Sequence, residues 1–370
     1  MELPLDIMFD IFSRLPIETV LASKLVSKNW RDVVHHPSFS QKHLNRLCSS
    51  EDSGNLGFLF TDYTNSDSKE FYYVEYDENN ETPIISTRRI NIPSELKSYT
   101  VVGCCNGLIC LYELSSIIIC NPITREYVDL PRLNCYFFLR CGFGYLVSTN
   151  EYKVVRVYEL PGEPSSVEVE VYTLGSGNGW RNVGKLNSEY GLLCDQVGVF
   201  ANGALHWAVS RKRIIVAFDL AYEKFREIQL PTFPECLYRD GYFKLVGSLG
   251  DYLMCLDYMK LRRSLDIWLL KENSTTDMNR EVDYKSMSWG KKFHVGNMEP
   301  FSFTNSGAVL CFNTRPGKPT LYGYDLKSSS FEMLVSFDKI FIQPPFVHMK
   351  TIVSLKALGE ENTNRMETNG

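Results

Sequence analysis

The sequence predicts a small all-helical module followed by an all-β domain, propeller-like and of six blades. Three observations lead there. Up to about residue 47 apolar residues recur at helical spacing, and from about residue 55 short strands and turns take over. Beyond that switch a strand–turn–strand unit recurs with a period near 50, the length of a propeller blade that cannot bury its faces alone. The runner-up for the β region is a β-sandwich or an irregular barrel. At 370 residues, with a mean hydropathy of −0.17, the chain can bury a sizeable core without a disulfide or metal staple.

In the module, Ile7, Met8, Ile11, Phe12 and Leu15 form a stripe at spacings of three and four. Pro4 suits a first helical turn and Asp6 its positive end. Pro16 forces the end, because the residue before a proline avoids helical angles. A second stripe runs through Ile17, Val20, Leu21 and Leu25. A third takes in Val26, Trp30, Val33 and Val34 and stops near Pro37. Three short helices of about 40 residues in all cannot bury these stripes in one another. Either the module packs on its own chain, or its leftover apolar surface binds a partner helix. Periodicity leaves both open.

Residues Leu3-Pro4-x-Asp6, Ile11-x-x-x-Leu15-Pro16, Val26-Ser27-Lys28-x-Trp30 and Pro37-Ser38-Phe39 together resemble the F-box of plant F-box proteins. The resemblance spans about 44 positions with its spacings intact. It implies docking on a Skp-family adaptor and, through it, on a cullin. It places Leu3, Pro4, Ile7, Ile11, Leu15, Pro16 and Leu25 at or near that interface, with Leu5 standing where a charged residue is common. Trp30 fits a core anchor or a contact equally well.

Next comes an acidic window. From Glu51 to Glu81 there are nine acids against one base, Lys69, which leaves a net +3 on the rest of the chain. The residues suggest a solvated linker and loop rather than an acidic docking patch.

The β region repeats. Its clearest unit is Ala217-Phe218-Asp219-Leu220, then Phe225, Ile228 and Leu230-Pro231. Asp77, Asn121, Thr173, Asp219, Leu269 and Asp325 are taken as equivalent positions, spaced 44, 52, 46, 50 and 56 apart. Gly107, Gly203, Gly250 and Gly307 each open an apolar strand 14 to 19 residues before the corresponding position. Six units from about 56 to 358 follow, and the apolar run Thr351–Leu355 is the candidate strand for closing the ring.

This region resembles the plant F-box-associated domain. The carrying residues are Gly103-Cys-Cys-Asn-Gly107-Leu-Ile-Cys, Asn121-Pro122-x-Thr124, Gly142-Phe-Gly144-Tyr, Tyr152-Lys-Val-Val-Arg156, Asn202-Gly203-Ala-Leu-His-Trp207 and Phe218-Asp219-Leu220. The paired glycines of true kelch repeats are missing, so the blades are kelch-like only. The implied organisation is an F-box at 1–47, a linker at 48–55, an F-box-associated propeller at 56–358 and a disordered tail at 359–370.

Chemistry finds little purchase. The histidines His35, His36, His43, His206, His294 and His348 offer no metal-binding pair outside the helical module, and His206 reads as a hydrogen-bonded core residue. Gly175–Gly179 lacks the Lys-Ser/Thr of a phosphate loop, and Gly142-Phe-Gly144 lacks the third glycine of a dinucleotide fingerprint. No Gly-x-Ser-x-Gly elbow occurs. Asp219 and Asp325, recurring once per blade, read as turn-formers. No cofactor or metal is expected.

The eleven cysteines show no C-x-x-C pair and read as small buried hydrophobes in a reducing compartment. Met1-Glu2-Leu3-Pro4-Leu5-Asp6 lacks a secretory start, so the sequons at Asn80 and Asn273 are read as coincidental. No apolar stretch approaches a bilayer span of about 20 residues, and no Lys/Arg block supports nucleic-acid binding. The expected location is cytoplasm or nucleus.

The resemblances together imply a non-catalytic substrate receptor of an SCF-type ubiquitin ligase, recruiting an unknown target protein through the β domain. The alternative is a propeller enzyme or ligand-binding protein with an accessory helical module. Segments 60–70, 132–141, 160–166, 210–213, 232–241 and 272–288 are the candidate target-choosing loops, and Arg211-Lys212-Arg213 reads as a solvated loop.

Overall fold

The computed structural model describes residues 4–49, 55–65, 68–81, 83–90, 92–93, 96, 98–132, 140–160, 163–187, 190, 197–209, 214–230, 241–249, 252–259, 264–272, 287–294, 298–304, 306–313, 318–338 and 345–366. Leu3, Gly250, Asn273, the loop 232–240 and Arg211-Lys212-Arg213 lie outside them, as do residues 273–286 of the segment 272–288.

Four helices open the chain, one more than the sequence led us to expect: α1 (Leu5–Ser13), α2 (Ile17–Ser23), α3 (Lys28–His35) and α4 (Pro37–Ser49). Pro4 and Pro16 stand just outside α1 and α2 with matching φ of −56° and ψ of 148°. Ser27 caps α3 by accepting from the Trp30 amide at 3.2 Å. Pro37, read as a stop, is instead the first residue of α4, where its missing N–H is harmless. The segment 48–55 therefore begins inside a helix.

Six four-stranded units follow. Blade 1 contains β1 (Asn55–Asn65), β2 (Ser68–Asp77) and β3 (Ile84–Ile90), and blade 2 contains β4 (Thr100–Cys105), β5 (Leu108–Glu113), β6 (Ser116–Asn121) and β7 (Glu126–Asp129). Blade 3 is β8 (Arg140–Leu146), β9 (Glu151–Leu160), β10 (Glu163–Thr173) and β11 (Trp180–Leu186). Blade 4 is β12 (Val197–Ala201), β13 (Ala204–Val209), β14 (Ile214–Asp219) and β15 (Lys224–Gln229). Blade 5 is β16 (Gly241–Leu249), β17 (Tyr252–Met259), β18 (Ser264–Glu272) and β19 (Met287–His294). Blade 6 is β20 (Glu299–Phe303), β21 (Val309–Asn313), β22 (Thr320–Asp325) and β23 (Ser330–Ser336).

The ring is closed by the carboxy-terminal strand β24 (Phe346–Val347), which pairs antiparallel with Phe58 and Leu59 of β1 and completes blade 1. The innermost strands touch in cyclic order, β4, β8, β12, β16, β20, β24 and back to β4. That closed circuit is a propeller, and neither a sandwich nor a barrel. Thr351–Leu355 is not the closing strand. It is a buried strap, held because the Asn121 amide donates to the carbonyls of Thr351 at 3.1 Å and Val353 at 2.7 Å.

The repeat landmarks now have causes. Asp77, Asn121, Thr173, Asp219 and Asp325 each end the third strand of a blade. In four of them a side-chain oxygen accepts from the amide two residues on: Asn79, Ile123, Ala221 and Lys327. Leu269 is the exception, since β18 runs on to Glu272. Asn106-Gly107 and Asn202-Gly203 carry positive φ at both positions, the hairpin turn whose twist matches its strands. Lys153 donates to the Leu220 carbonyl at 2.9 Å in blade 4, and Arg156 reaches the Pro131 carbonyl at 3.3 Å beyond blade 2. The Tyr152–Arg156 run thus stitches blade 3 to both neighbours. Gly142 and Gly144 are packing glycines, because a Cβ there would collide with Leu205 and with Phe200.

Three other readings change. Most of the described part of the acidic window, and most of segment 60–70, belongs to strands β1 and β2 rather than to linker and loop, with Asp62 buried and Glu70 bonded to Tyr72 and Arg89. Most of segment 160–166 likewise belongs to β9 and β10. The tail is ordered as far as Met366. Glu360 accepts from Tyr172 at 3.1 Å and from the Gly175 amide at 2.7 Å. A short strand, β25 (Asn364–Arg365), pairs with β7. Cys105, Cys110, Cys120, Cys141, Cys255 and Cys311 are buried free thiols, as expected. Among the described residues no helix is long and apolar enough to cross a membrane.

Candidate docking surface of the helical module

The apolar stripe of α1 is too wide for one core and divides into two rows. Met8 and Phe12 point inward at 8% and 4% exposure, while Ile7 and Ile11, one residue earlier on the helix, remain 44% and 42% exposed. Each row has the four-residue spacing of helical neighbours. Inward, Met8 and Phe12 meet Ile17, Val20, Val33, Val34 and Phe39 in a small core. Phe39 from α4 is its hub, with ring contacts to Phe9 at 5.6 Å and Phe12 at 6.4 Å.

The same core reaches the propeller. Ile352 of the strap is buried in it and Ile123 packs alongside, while Leu44 of α4 is buried with Val353 and Leu355 among the blade 2 and blade 3 side chains. Lys350 adds an ion pair to Glu18 of α2 at 2.9 Å. The two possibilities left open by periodicity do not exclude each other. One face is fastened to the chain's own propeller, and the other is free.

The free face holds most of the predicted positions. Pro4 and Pro16 are exposed, Ile7 and Ile11 form a row along α1, and Leu25 is 84% exposed in the turn after α2. Leu15 departs from the expectation: it is half-buried against the core. Its carbonyl accepts from His43 Nε2 at 3.3 Å. That imidazole is almost wholly buried, which holds its pKa below the ordinary value, so His43 is a neutral strut under the Leu15-Pro16 turn. Trp30 is part anchor, part surface. Its ring meets Phe12 edge-on at 5.0 Å, yet it stays 37% exposed.

Two further apolar residues of the module, outside the predicted docking positions, are exposed. Leu5 is 49% and Val26 64% exposed. Val26 precedes the Ser27 cap, outside the helix whose stripe it was assigned to; that cap was the available signal. A contiguous exposed patch of large apolar side chains marks an interaction surface. At its edge the Asp10–Arg14 pair, at 2.9 Å, lowers the Asp10 pKa by a hydrogen bond from the guanidinium.

Comparison with known families agrees with this division. Residues 1–42 match the F-box domain, and residues 56–338 match the F-box associated beta propeller domain. The chain belongs to the F-box-associated propeller family. The relatives of this F-box protein include F-box protein At3g07870 of Arabidopsis thaliana, 28% identical over 80% of this chain and 73% of that one. F-box protein CPR1 of the same plant is 28% identical over 91% and 82%, and F-box/kelch-repeat protein At3g23880 is 25% identical over 95% of both chains.

Proposed function

We propose that this F-box protein is the substrate-recognition subunit of an SCF-type ubiquitin ligase. The F-box docks on a Skp-family adaptor, which joins it to a cullin, and the propeller holds a target protein. The observation that carries this reading is the free row Ile7 and Ile11, with Leu5, Leu25 and Val26 also exposed, on a module that elsewhere is fixed to the propeller. Preordered apolar anchors on helices supply binding energy at low ordering cost.

The protein's contribution is then non-catalytic in the sense of bond chemistry. It raises the effective concentration of a target lysine at a charged conjugating enzyme. The proposed setting is the cytoplasm or nucleus. Co-purification tests the reading: the full chain, expressed with a Skp-family adaptor and a cullin, is expected to retain both in equal amounts. A folded chain that leaves them behind overturns it.

A further inference from the structure

Where the F-box, blades 1 and 2 and the carboxy-terminal segment meet, they border a solvent-open cleft of about 350 Å³. Ile17 and Leu21 of α2, Ile90 of β3 and Ile123 beside blade 2 give it apolar walls. Glu18 also lines it, and Glu75 lies within electrostatic reach of Arg88. Arg89 and Lys350, which also line it, are paired, to Glu70 at 2.8 Å and to Glu18 and Glu75. Arg88 and Arg125 are exposed, and no side-chain hydrogen bond or ion pair among the described residues engages either.

His348 forms part of the wall. This lining residue is only 3% exposed, and its Nε2 donates to the Gly107 carbonyl at 3.2 Å. Nδ1 is therefore a bare acceptor, buried and without a partner, which a native fold rarely tolerates. Arg88 is close to it in the fold. It stands opposite Tyr73 in the β2–β3 register, on the same sheet face, and the Tyr73 ring meets His348 edge-on at 5.7 Å.

We propose that this cleft binds a small amphipathic organic anion. Its apolar body would lie between α2 and β3, and its acidic group would face Arg88 and Arg125. Such a ligand touches the F-box and two blades at once. Guanidinium groups suit carboxylate and phosphate oxygens equally well.

The test uses the full chain and a fluorescent probe, 6-hydroxy-2-naphthoate, with 2-naphthol as the comparator lacking the acid. Saturable binding of one probe per chain is expected, weaker by about tenfold in the Arg88→Ala/Arg125→Ala double variant and for 2-naphthol. Both arginines are exposed and unpaired, so the variant is expected to melt as the parent does. No saturable binding up to about 1 mM, an unchanged affinity in the variant, or equal binding of 2-naphthol overturns the proposal.

Discussion

Replacing Ile7 and Ile11 together by alanine separates docking from folding. At 44% and 42% exposure the two side chains each hold roughly 75 Å² outside the fold, by the usual size of an isoleucine. Truncation to alanine removes about half of that, which at about 25 cal/mol/Å² is about 1 kcal/mol per residue. If the face is buried against the adaptor, the double variant binds about 2 kcal/mol more weakly, roughly thirtyfold in Kd. Folding should scarcely notice. Exposed substitutions usually fall within about 0.5 kcal/mol, and alanine is the better helix former. Phe12→Ala, at 4% exposure, is the contrast: a loss of about 3–5 kcal/mol of stability. Calorimetric titration with a Skp-family adaptor, beside urea unfolding of each variant, reads both quantities. An adaptor affinity within twofold of the parent refutes the docking face. A stability loss above about 1 kcal/mol refutes the division of α1 into two rows.

Three further outcomes are expected. Burial lowers the pKa of His206 and His348 to about 4, below the roughly 6.5 of an exposed imidazole, so protons favour the unfolded chain. Stability is complete above about pH 6.5 and falls toward pH 4, by on the order of 3 kcal/mol per imidazole, and His206→Gln should flatten the slope of urea midpoints against pH. Gly107→Ala puts a Cβ 2.2 Å from Thr351 Oγ1, whereas at Gly203, with a similar positive φ, nothing lies within 4 Å. Melting should show only the backbone penalty of about 1 kcal/mol at Gly203 and a clearly larger loss at Gly107; equal losses would refute the strap contact. Deleting residues 360–370 removes the Glu360 bonds and the buried Met366, so thermal melting should drop by several degrees, and an unchanged curve contradicts the ordered carboxy-terminal segment.

What the sequence made legible follows from what is local. An Asp or Asn ending a third strand must accept backbone amides within three residues, so the turn writes itself into the chain once per blade. Blade 5 blurred the register because Glu272, not an Asp or Asn, ends its third strand. The fourth helix was hidden by Pro37, which ends one helix and begins another, and by an inner face built from Phe39, His43 and Leu44, with only two hydrophobic members. The ring closure was hidden by length. Two residues of β24 carry no periodicity, while the apolar run just beyond them carries plenty and is no strand. The strap is held by Asn121 and Glu126 from more than two hundred residues away, a relation that no window reports.

The pairing of β24 with β1 joins residues 346–347 to residues 58–59. During synthesis the fastener therefore emerges only after the F-box and strands β1 to β23. A nascent or prematurely terminated polypeptide carries the early sheets with an open edge, a species prone to aggregation and to chaperone capture. Since Ile352 and Lys350 of the same late segment also pack against the F-box, the amino-terminal module can seat on the propeller only once that segment has emerged.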